Sequence, residues 1–72
     1  MAFEYEIIKH IATLGETNGR TLEVNLVSWN KHAPKVDIRR WSLDHDFMGK
    51  GIAMTDTEAE ALYKALKERY EA

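Results

Sequence analysis

The chain has 72 residues, of which 44% are hydrophobic and 31% are charged, no cysteine, and a formal net charge of −2. This size corresponds to one domain covering residues 1–72, and the composition is that of a globular chain rather than a disordered one. The missing cysteines exclude disulfides and thiolate metal ligands. No apolar run approaches the roughly 20 residues that span a bilayer, and glutamates stand near the N-terminus where a secretion signal requires lysine or arginine. We therefore expect a cytoplasmic protein.

The first half of the chain predicts three strands. Residues 3–14 are rich in aromatic and β-branched side chains, which favour a long first strand. The sequence GETNG at 15–19 is a turn cluster. Polar and apolar residues then alternate over 21–29, and they alternate again over 35–41 after a loop that contains the only proline.

The second half predicts a short fourth strand and a helix. Residues 42–51 are polar and irregular, and residues 52–54 form the strand. Thr55 and Glu58 have the spacing of a capping box, which starts a helix that runs to about residue 70. The helix carries an apolar stripe at spacings of three and four, formed by Ala59, Leu62, Tyr63, Leu66 and Tyr70. The predicted fold class is therefore α+β, with four antiparallel strands followed by one helix.

The period of two along the second and third strands separates two faces. The aliphatic residues share one face, which we expect to be dry and to pack against the helix. They are Leu22, Val24, Leu26, Val36 and Ile38. The opposite face is expected to be wet, and it carries Trp29, Lys35, Arg39 and Trp41.

Residues 27–51 mix aromatic and basic side chains. Both tryptophans, Trp29 and Trp41, stand among Lys31, Lys35, Arg39, Arg40 and Lys50. An aromatic ring stacks on a base and a nearby cation holds a phosphate, so this mixture along strands is typical of proteins that bind unpaired nucleic acid. Residues 19–51 hold six basic and four acidic residues, whereas the rest of the chain holds four basic and eight acidic residues. The distribution predicts a locally basic face on an acidic body.

Other interpretations remain open from the residues alone. Each tryptophan could instead belong to a core or a subunit interface. Asp44, His45 and Asp46 do not converge as metal ligands, because adjacent side chains point apart, and the aspartates are expected to form local turn hydrogen bonds. No pattern of a catalytic nucleophile or of a phosphate-binding glycine loop is present, so we expect neither an enzyme nor a cofactor.

Two segments, KVDIRRW and the later MGKGIAMTDTEAEALYKAL, resemble the C-terminal domain of the transcriptional coactivator known as positive cofactor four. The resemblance is strongest to the short bacterial relatives of the YdbC type, and it covers nearly the whole chain. It implies a strongly curved four-stranded antiparallel sheet followed by one helix, assembled as a homodimer partly through the helices. It also implies binding of single-stranded DNA with little sequence preference.

The resemblance also implies roles for individual residues. Trp29 and Trp41 correspond to stacking aromatics, although the eukaryotic members have one more residue between the arginine and the second tryptophan. Arg39 corresponds to a phosphate contact on the sheet. The other matching cations are Lys50 before the fourth strand and, in the basic turn after the second strand, Lys31 and Lys35.

These observations lead to one main hypothesis, a homodimer that holds single-stranded DNA on the wet face of its sheet. The short chain and the apolar stripe predict the dimer, with Leu62, Tyr63, Leu66 and Tyr70 at the interface. Its role would be that of a transcription coactivator or of a replication or repair accessory, associated with the nucleoid of a bacterium. One alternative is a protein-interaction module of the transcription machinery, because tryptophan and arginine are also favoured at protein interfaces. The other alternative is a protein that binds single-stranded RNA.

Overall fold

The computed structural model describes residues 4–71, which form one antiparallel sheet and one helix. The strands pair in the order in which they occur along the chain. The elements are β1 (Tyr5–Thr17), β2 (Arg20–Trp29), β3 (Lys35–Ser42), β4 (Met48–Met54) and α1 (Asp56–Glu71). The predicted fold class is confirmed. Phe3, part of the first predicted strand, lies outside the described residues.

Two element boundaries differ from the prediction by three residues or more. β1 continues to Thr17, so the connection to β2 is only Asn18–Gly19, with φ angles of 54° and 75°. Asparagine followed by glycine tolerates positive φ at both positions, which is what a two-residue hairpin turn requires. β4 begins at Met48 instead of residue 52, because pairing with β3 extends into the segment that we predicted to be irregular.

The sheet is strongly curved. Along β1 the pairing with β2 skips Ile8, Ile11 and Leu14 in turn, and each such bulge adds bend and twist to the strand. Trp41 on β3 is paired with Thr21 on β2. Thr21 is eight residues before Trp29, so on a flat sheet Trp41 and Trp29 would be about 26 Å apart along the strand direction. The ring of Tyr5 nevertheless lies 5.8 Å from the Trp29 ring and 5.5 Å from the Trp41 ring. Only a sheet that curls around these side chains brings them together.

The buried face of the sheet is the opposite of the predicted one. The enclosed face, as we name it, carries Glu23, Asn25, Val27 and Trp29 on β2 and Asp37, Arg39 and Trp41 on β3. Most of these side chains are buried, whereas Leu22, Val24 and Leu26 on the aliphatic face are only half-buried. The prediction of a dry aliphatic face and a wet opposite face was therefore wrong for a single chain. The sheet curls toward its large aromatic side chains, which then pack on one another.

The helix starts as predicted but does not cover the sheet. The Thr55 amide donates to Glu58 Oε1 at 2.9 Å, and the Glu58 amide donates to Thr55 Oγ1 at 3.2 Å, which confirms the capping box. None of the α1 side chains in the described part of the chain is buried. The apolar stripe of α1 therefore faces solvent in the single chain. No helix within residues 4–71 is long and apolar enough to cross a membrane.

Candidate nucleic-acid interface

Trp29 and Arg39 form the central pair of the enclosed face. The guanidinium carbon of Arg39 lies 4.7 Å from the centre of the Trp29 ring, within the range of a cation–π contact. Arg39 also donates from Nε to Asp37 Oδ1 and from Nη2 to Asp37 Oδ2, both at 2.7 Å. Alternate residues of a strand share a face, so Asp37 and Arg39 are placed to form this two-pronged ion pair. The ion pair with Asp37 holds the guanidinium of Arg39 in one orientation, and the guanidinium in turn packs against one face of the Trp29 indole.

This arrangement changes the role expected for Arg39. Its side chain is only 14% exposed, and its charge is neutralised by the fully buried Asp37. Its Nη1 also lies 3.4 Å from the Gly49 carbonyl oxygen. A guanidinium with most of its donors already used is a poor phosphate ligand. The geometry fits a positioning residue for Trp29.

Trp41 lies on the same enclosed face as this pair and is 0% exposed. Its ring is covered by Tyr5 on one side and by the His45 imidazole, 5.4 Å away, on another. Within residues 4–71 its indole nitrogen has no hydrogen-bond partner. Of the two roles that the sequence left open, packing or stacking on bases, this placement favours packing.

A polar network centred on Glu23 also lies on the enclosed face. Glu23 is buried, at 4% exposed, and its carboxylate accepts hydrogen bonds from Thr21 and from Asn25. His45 Nε2 lies 3.1 Å from both carboxylate oxygens, and this contact ties the loop between β3 and β4 to β2. His10 approaches from β1, with Nδ1 2.7 Å from Asn25 Oδ1. Burial alone would raise the pKa of Glu23, but the hydrogen bonds from Thr21, His45 and Asn25 outweigh burial and lower it below 4.5.

This network predicts a loss of stability in acid. Because the pKa of Glu23 is lower in the folded state than in the unfolded state, its contribution is present above about pH 4.5 and is lost as the pH falls through the folded value. We expect Glu23→Gln to lower stability near neutral pH and to flatten the acid decline below about pH 4.5. Chemical denaturation between about pH 3 and 7 measures both effects. Glu71→Gln, at the exposed end of α1, is the control, and a parallel decline in Glu23→Gln and the wild type would contradict the prediction.

The remaining predicted cations lie around the pair rather than on it. Lys31 follows Trp29 in the turn, with φ of 65°, and its Nζ lies 4.0 Å from Glu4. The side chains of Lys35 and Lys50 are exposed, and neither forms a side-chain hydrogen bond or a close ion pair within the described range 4–71. The charge of Lys35 contributes, after the hydrogen bonds from Thr55, to lowering the pKa of Glu58. These lysines keep donors available for phosphate groups, whereas Arg39 does not.

Asn30 holds the turn beside Trp29. Its amide donates to the Glu4 carbonyl oxygen at 2.7 Å, and its side-chain oxygen accepts from the Glu4 amide at 2.9 Å. The φ of Asn30 is 50°, a left-handed conformation that asparagine tolerates better than most residues. Trp29 and Lys31 are thereby presented on a turn anchored to the start of β1.

Gly51 is required by the close approach of β4 to β3. It is paired with Arg39, and an added Cβ would lie 2.5 Å from the Ile38 carbonyl oxygen and even closer to the Arg39 Cβ. Gly51 is therefore required by a lack of space beside Arg39, the residue that holds Trp29.

The loop between β3 and β4 is organised by Asp44. Ser42 Oγ donates to Asp44 Oδ1 at 2.7 Å, and the Asp46 amide donates to the same oxygen at 3.0 Å. The hydrogen bond from the Asp46 amide, followed by that from Ser42, lowers the pKa of Asp44. The predicted turn hydrogen bonds are confirmed for Asp44.

Tyr5, Glu23 and His45 were not assigned a binding role from the sequence. Glu23 stands in the same alternating row as Trp29, and we assumed that a carboxylate in this row would be solvated. Tyr5 and His45 lie 24 and 16 residues from Trp29 along the chain. The antiparallel pairing of β1 with β2 places Tyr5 opposite Trp29, and the curvature of the sheet brings Tyr5 to Trp41, whose ring also contacts His45. The alternation of β2 could have placed Glu23 on the enclosed face, but no local pattern indicates the other two.

Comparison with known proteins agrees with this architecture. The family model for transcriptional coactivator p15 (PC4) matches residues 17–65, from the end of β1 to the middle of α1. The chain is also 44% identical over 61 residues to a protein of Treponema pallidum (strain Nichols) described as an uncharacterized protein, and the alignment covers 83% of this chain and 72% of that protein. The match spans both the strand that carries Trp29 and the strand that carries Arg39, and from its extent we conclude that the chain belongs to the transcriptional coactivator p15 (PC4) family.

Proposed function

We propose that this protein binds single-stranded DNA without catalysis, with little sequence preference and as a homodimer. Its place of action would be the cytoplasm, at the nucleoid of a bacterium, as a transcription coactivator or a replication or repair accessory. The observation that carries the proposal is the half-buried Trp29 ring, held by Arg39 at 4.7 Å and followed directly by a cationic turn. Membership of the coactivator family supports it.

The electrostatics of the enclosed face suit a polyanion. Asp37 is neutralised by Arg39, and Glu23 is buried at 4% exposed with its oxygens engaged by hydrogen bonds from Thr21 and Asn25. Repulsion of phosphates by this face is therefore small, while Lys31 and Lys35 near Trp29 remain exposed. Backbone phosphates then bind to flexible lysines, and the ring binds to whichever base is opposite. This combination is sequence-tolerant because every base has a π-face.

The proposed roles follow from the geometry. Trp29 stacks on a base, Arg39 positions Trp29, and Trp41 packs below them. The phosphate contacts come from lysines at the rim of the site. They are Lys31, Lys35 and Lys50.

The homodimer is proposed from the apolar surface that one chain leaves exposed. The described residues bury only three hydrophobic side chains, namely Val27, Trp41 and Met54. Domains of this length are marginally stable even with a full core, and many rely on a partner subunit. The α1 stripe provides the surface for a second copy. In the stripe, the interface residues are Leu62, Tyr63, Leu66 and Tyr70.

We expect Trp29→Ala to weaken binding to oligo(dT) by about 5- to 150-fold, which corresponds to the roughly 1–3 kcal/mol of one stacked base. Anisotropy of a labelled oligonucleotide at two salt concentrations measures the loss. Trp29→Phe keeps a flat ring and should retain most of the affinity. Near-ultraviolet circular dichroism of Trp41 checks the fold of each variant, and an unchanged affinity in folded Trp29→Ala would falsify the stacking role.

Competition experiments separate the proposed ligand from the alternatives. Single-stranded DNA should compete far better than the corresponding duplex, because bases stacked within a duplex cannot reach the ring. Affinity should fall with salt, with a slope of about −0.7 per phosphate contact on a log–log plot. Equal competition by duplex contradicts the proposal, stronger competition by RNA assigns RNA as the ligand, and a flat oligonucleotide titration points to a protein partner.

A further inference from the structure

A second group of cationic and aromatic side chains lies at the other end of β2. We name Arg20, Arg40 and Phe47 the turn-end cluster. The guanidinium carbon of Arg20 lies 4.6 Å from the centre of the Phe47 ring. Phe47 is 51% exposed, so Arg20 leaves much of its ring open to solvent.

The register of β2 and β3 places both arginines together. Arg20 is paired with Ser42 and Leu22 with Arg40, so the two arginines are diagonal neighbours, with Cα atoms about 7–8 Å apart. They share the aliphatic face, whereas Arg39 and Trp41 lie on the enclosed face. The turn-end cluster is therefore separate from the site around Trp29.

Phe47 is held in place at the base of its loop. Its amide donates to Ser42 Oγ at 3.0 Å, and its carbonyl oxygen accepts from the Ser42 amide at 2.9 Å. Ser42 is also the β3 partner of Arg20. The backbone positions that carry the ring and the guanidinium are therefore held at the same point of the sheet.

The charges of the turn-end cluster are uncompensated. Across residues 4–71, no carboxylate forms an ion pair with Arg20 or Arg40. The two arginines line a hollow of about 410 Å³ together with Thr17 and Asn18. Guanidinium groups beside a hydroxyl and an amide provide the donors that phosphate oxygens accept, and the planar fork of arginine matches phosphate geometry.

We propose that the turn-end cluster is a second contact for the same single strand, with a phosphate in the hollow and a base on Phe47. This inference rests on the proposed function. Trp29 and Arg20 stand at opposite ends of β2, so a strand must be long enough to pass from the enclosed face around the turn end of the sheet. Short strands bind at Trp29 only, and longer strands bind at both places.

The test compares oligo(dT) of about 6 and about 20 nucleotides on the full chain, lengths that lie below and above those of many single-strand sites. The charge variant is Arg20→Ala with Arg40→Ala. Its matched control is Lys64→Ala with Lys67→Ala, which removes the same charge from exposed positions of α1. Phe47→Leu removes the ring while keeping an apolar side chain of similar size at the base of the loop.

We expect the charge variant to bind the long oligonucleotide about tenfold more weakly at low salt and to reduce its salt slope by about 0.7, which corresponds to the one phosphate contact in the hollow. Phe47→Leu should weaken the long oligonucleotide several-fold with an unchanged salt slope. The short oligonucleotide should bind all variants equally.

Either of two results overturns this inference without affecting the proposed function. The first is a charge variant that binds the long oligonucleotide with wild-type affinity and salt slope. The second is an equal loss of affinity in the lysine control, which would indicate only a general effect of charge. Failure of the wild-type protein to bind any single strand overturns the proposed function and this inference with it. Loss of the short oligonucleotide in Trp29→Ala but not in the charge variant shows that the two sites are distinct.

Discussion

Leu66→Glu is expected to convert the proposed homodimer into a monomer that is largely unfolded at micromolar concentration. Leu66 is 47% exposed in the single chain and lies in the middle of the α1 stripe. Burying a leucine side chain contributes about 1.5–3 kcal/mol, and a two-fold interface buries it twice. A glutamate at this position loses that contribution and also places a charge in an apolar interface, which costs more than the lost contact.

The effect on folding is expected to be as large as the effect on assembly. Within residues 4–71 a single chain buries only three hydrophobic side chains, and in the proposed dimer the second copy completes this small core. Mass from light scattering gives the oligomeric state, and urea denaturation at several protein concentrations gives the stability, which must rise with concentration for a folding-coupled dimer. Lys64→Glu introduces the same side chain at an exposed position of α1 and should remain dimeric. A monomeric wild type, or a stability independent of concentration, would contradict the dimer.

Trp41→Ala is expected to lower the free energy of unfolding by about 3–5 kcal/mol, the usual cost of removing a large buried aromatic ring. Trp41 is among the largest fully buried side chains of the described residues, and its removal takes away the ring that both Tyr5 and His45 contact. Small domains have little stability in reserve, so this variant should be substantially unfolded. Trp29→Ala, which removes a half-buried ring, should be affected much less.

The contrast between the two tryptophans tests their separate roles. Urea denaturation followed by far-ultraviolet circular dichroism measures the stability of both variants, and Trp41→Phe serves as a conservative control that keeps an aromatic ring between Tyr5 and His45. A Trp41→Ala variant with near wild-type stability and lost oligonucleotide binding would instead assign stacking to Trp41. The double variant Trp29→Ala with Trp41→Ala cannot separate binding from folding, because it also removes a buried ring.

The placement of Arg39 illustrates how much of the site could be predicted from the sequence. The alternation of β3 places Arg39, Asp37 and Trp41 on one face, and the structure confirms this grouping. It could not indicate that Asp37 would take up most of the hydrogen-bonding capacity of Arg39. Ion pairing depends on the rotamers and on the local dielectric of a folded site, and neither is encoded in a strand period.

The element order, the alternation of the strands and the helix start at Thr55 depend on local preferences, namely residue periodicity and capping geometry, and the sequence alone determined them. The short hairpin at Asn18–Gly19 was also accessible from local sequence, although we placed the turn too early. The buried face of the sheet was decided by tertiary structure. Bulges at Ile8, Ile11 and Leu14 curl the sheet, and the curl encloses the aromatic face and leaves the aliphatic face half-exposed. Alternation separates the two faces of a strand, but curvature, which arises from pairing between strands, decides which of them is inside.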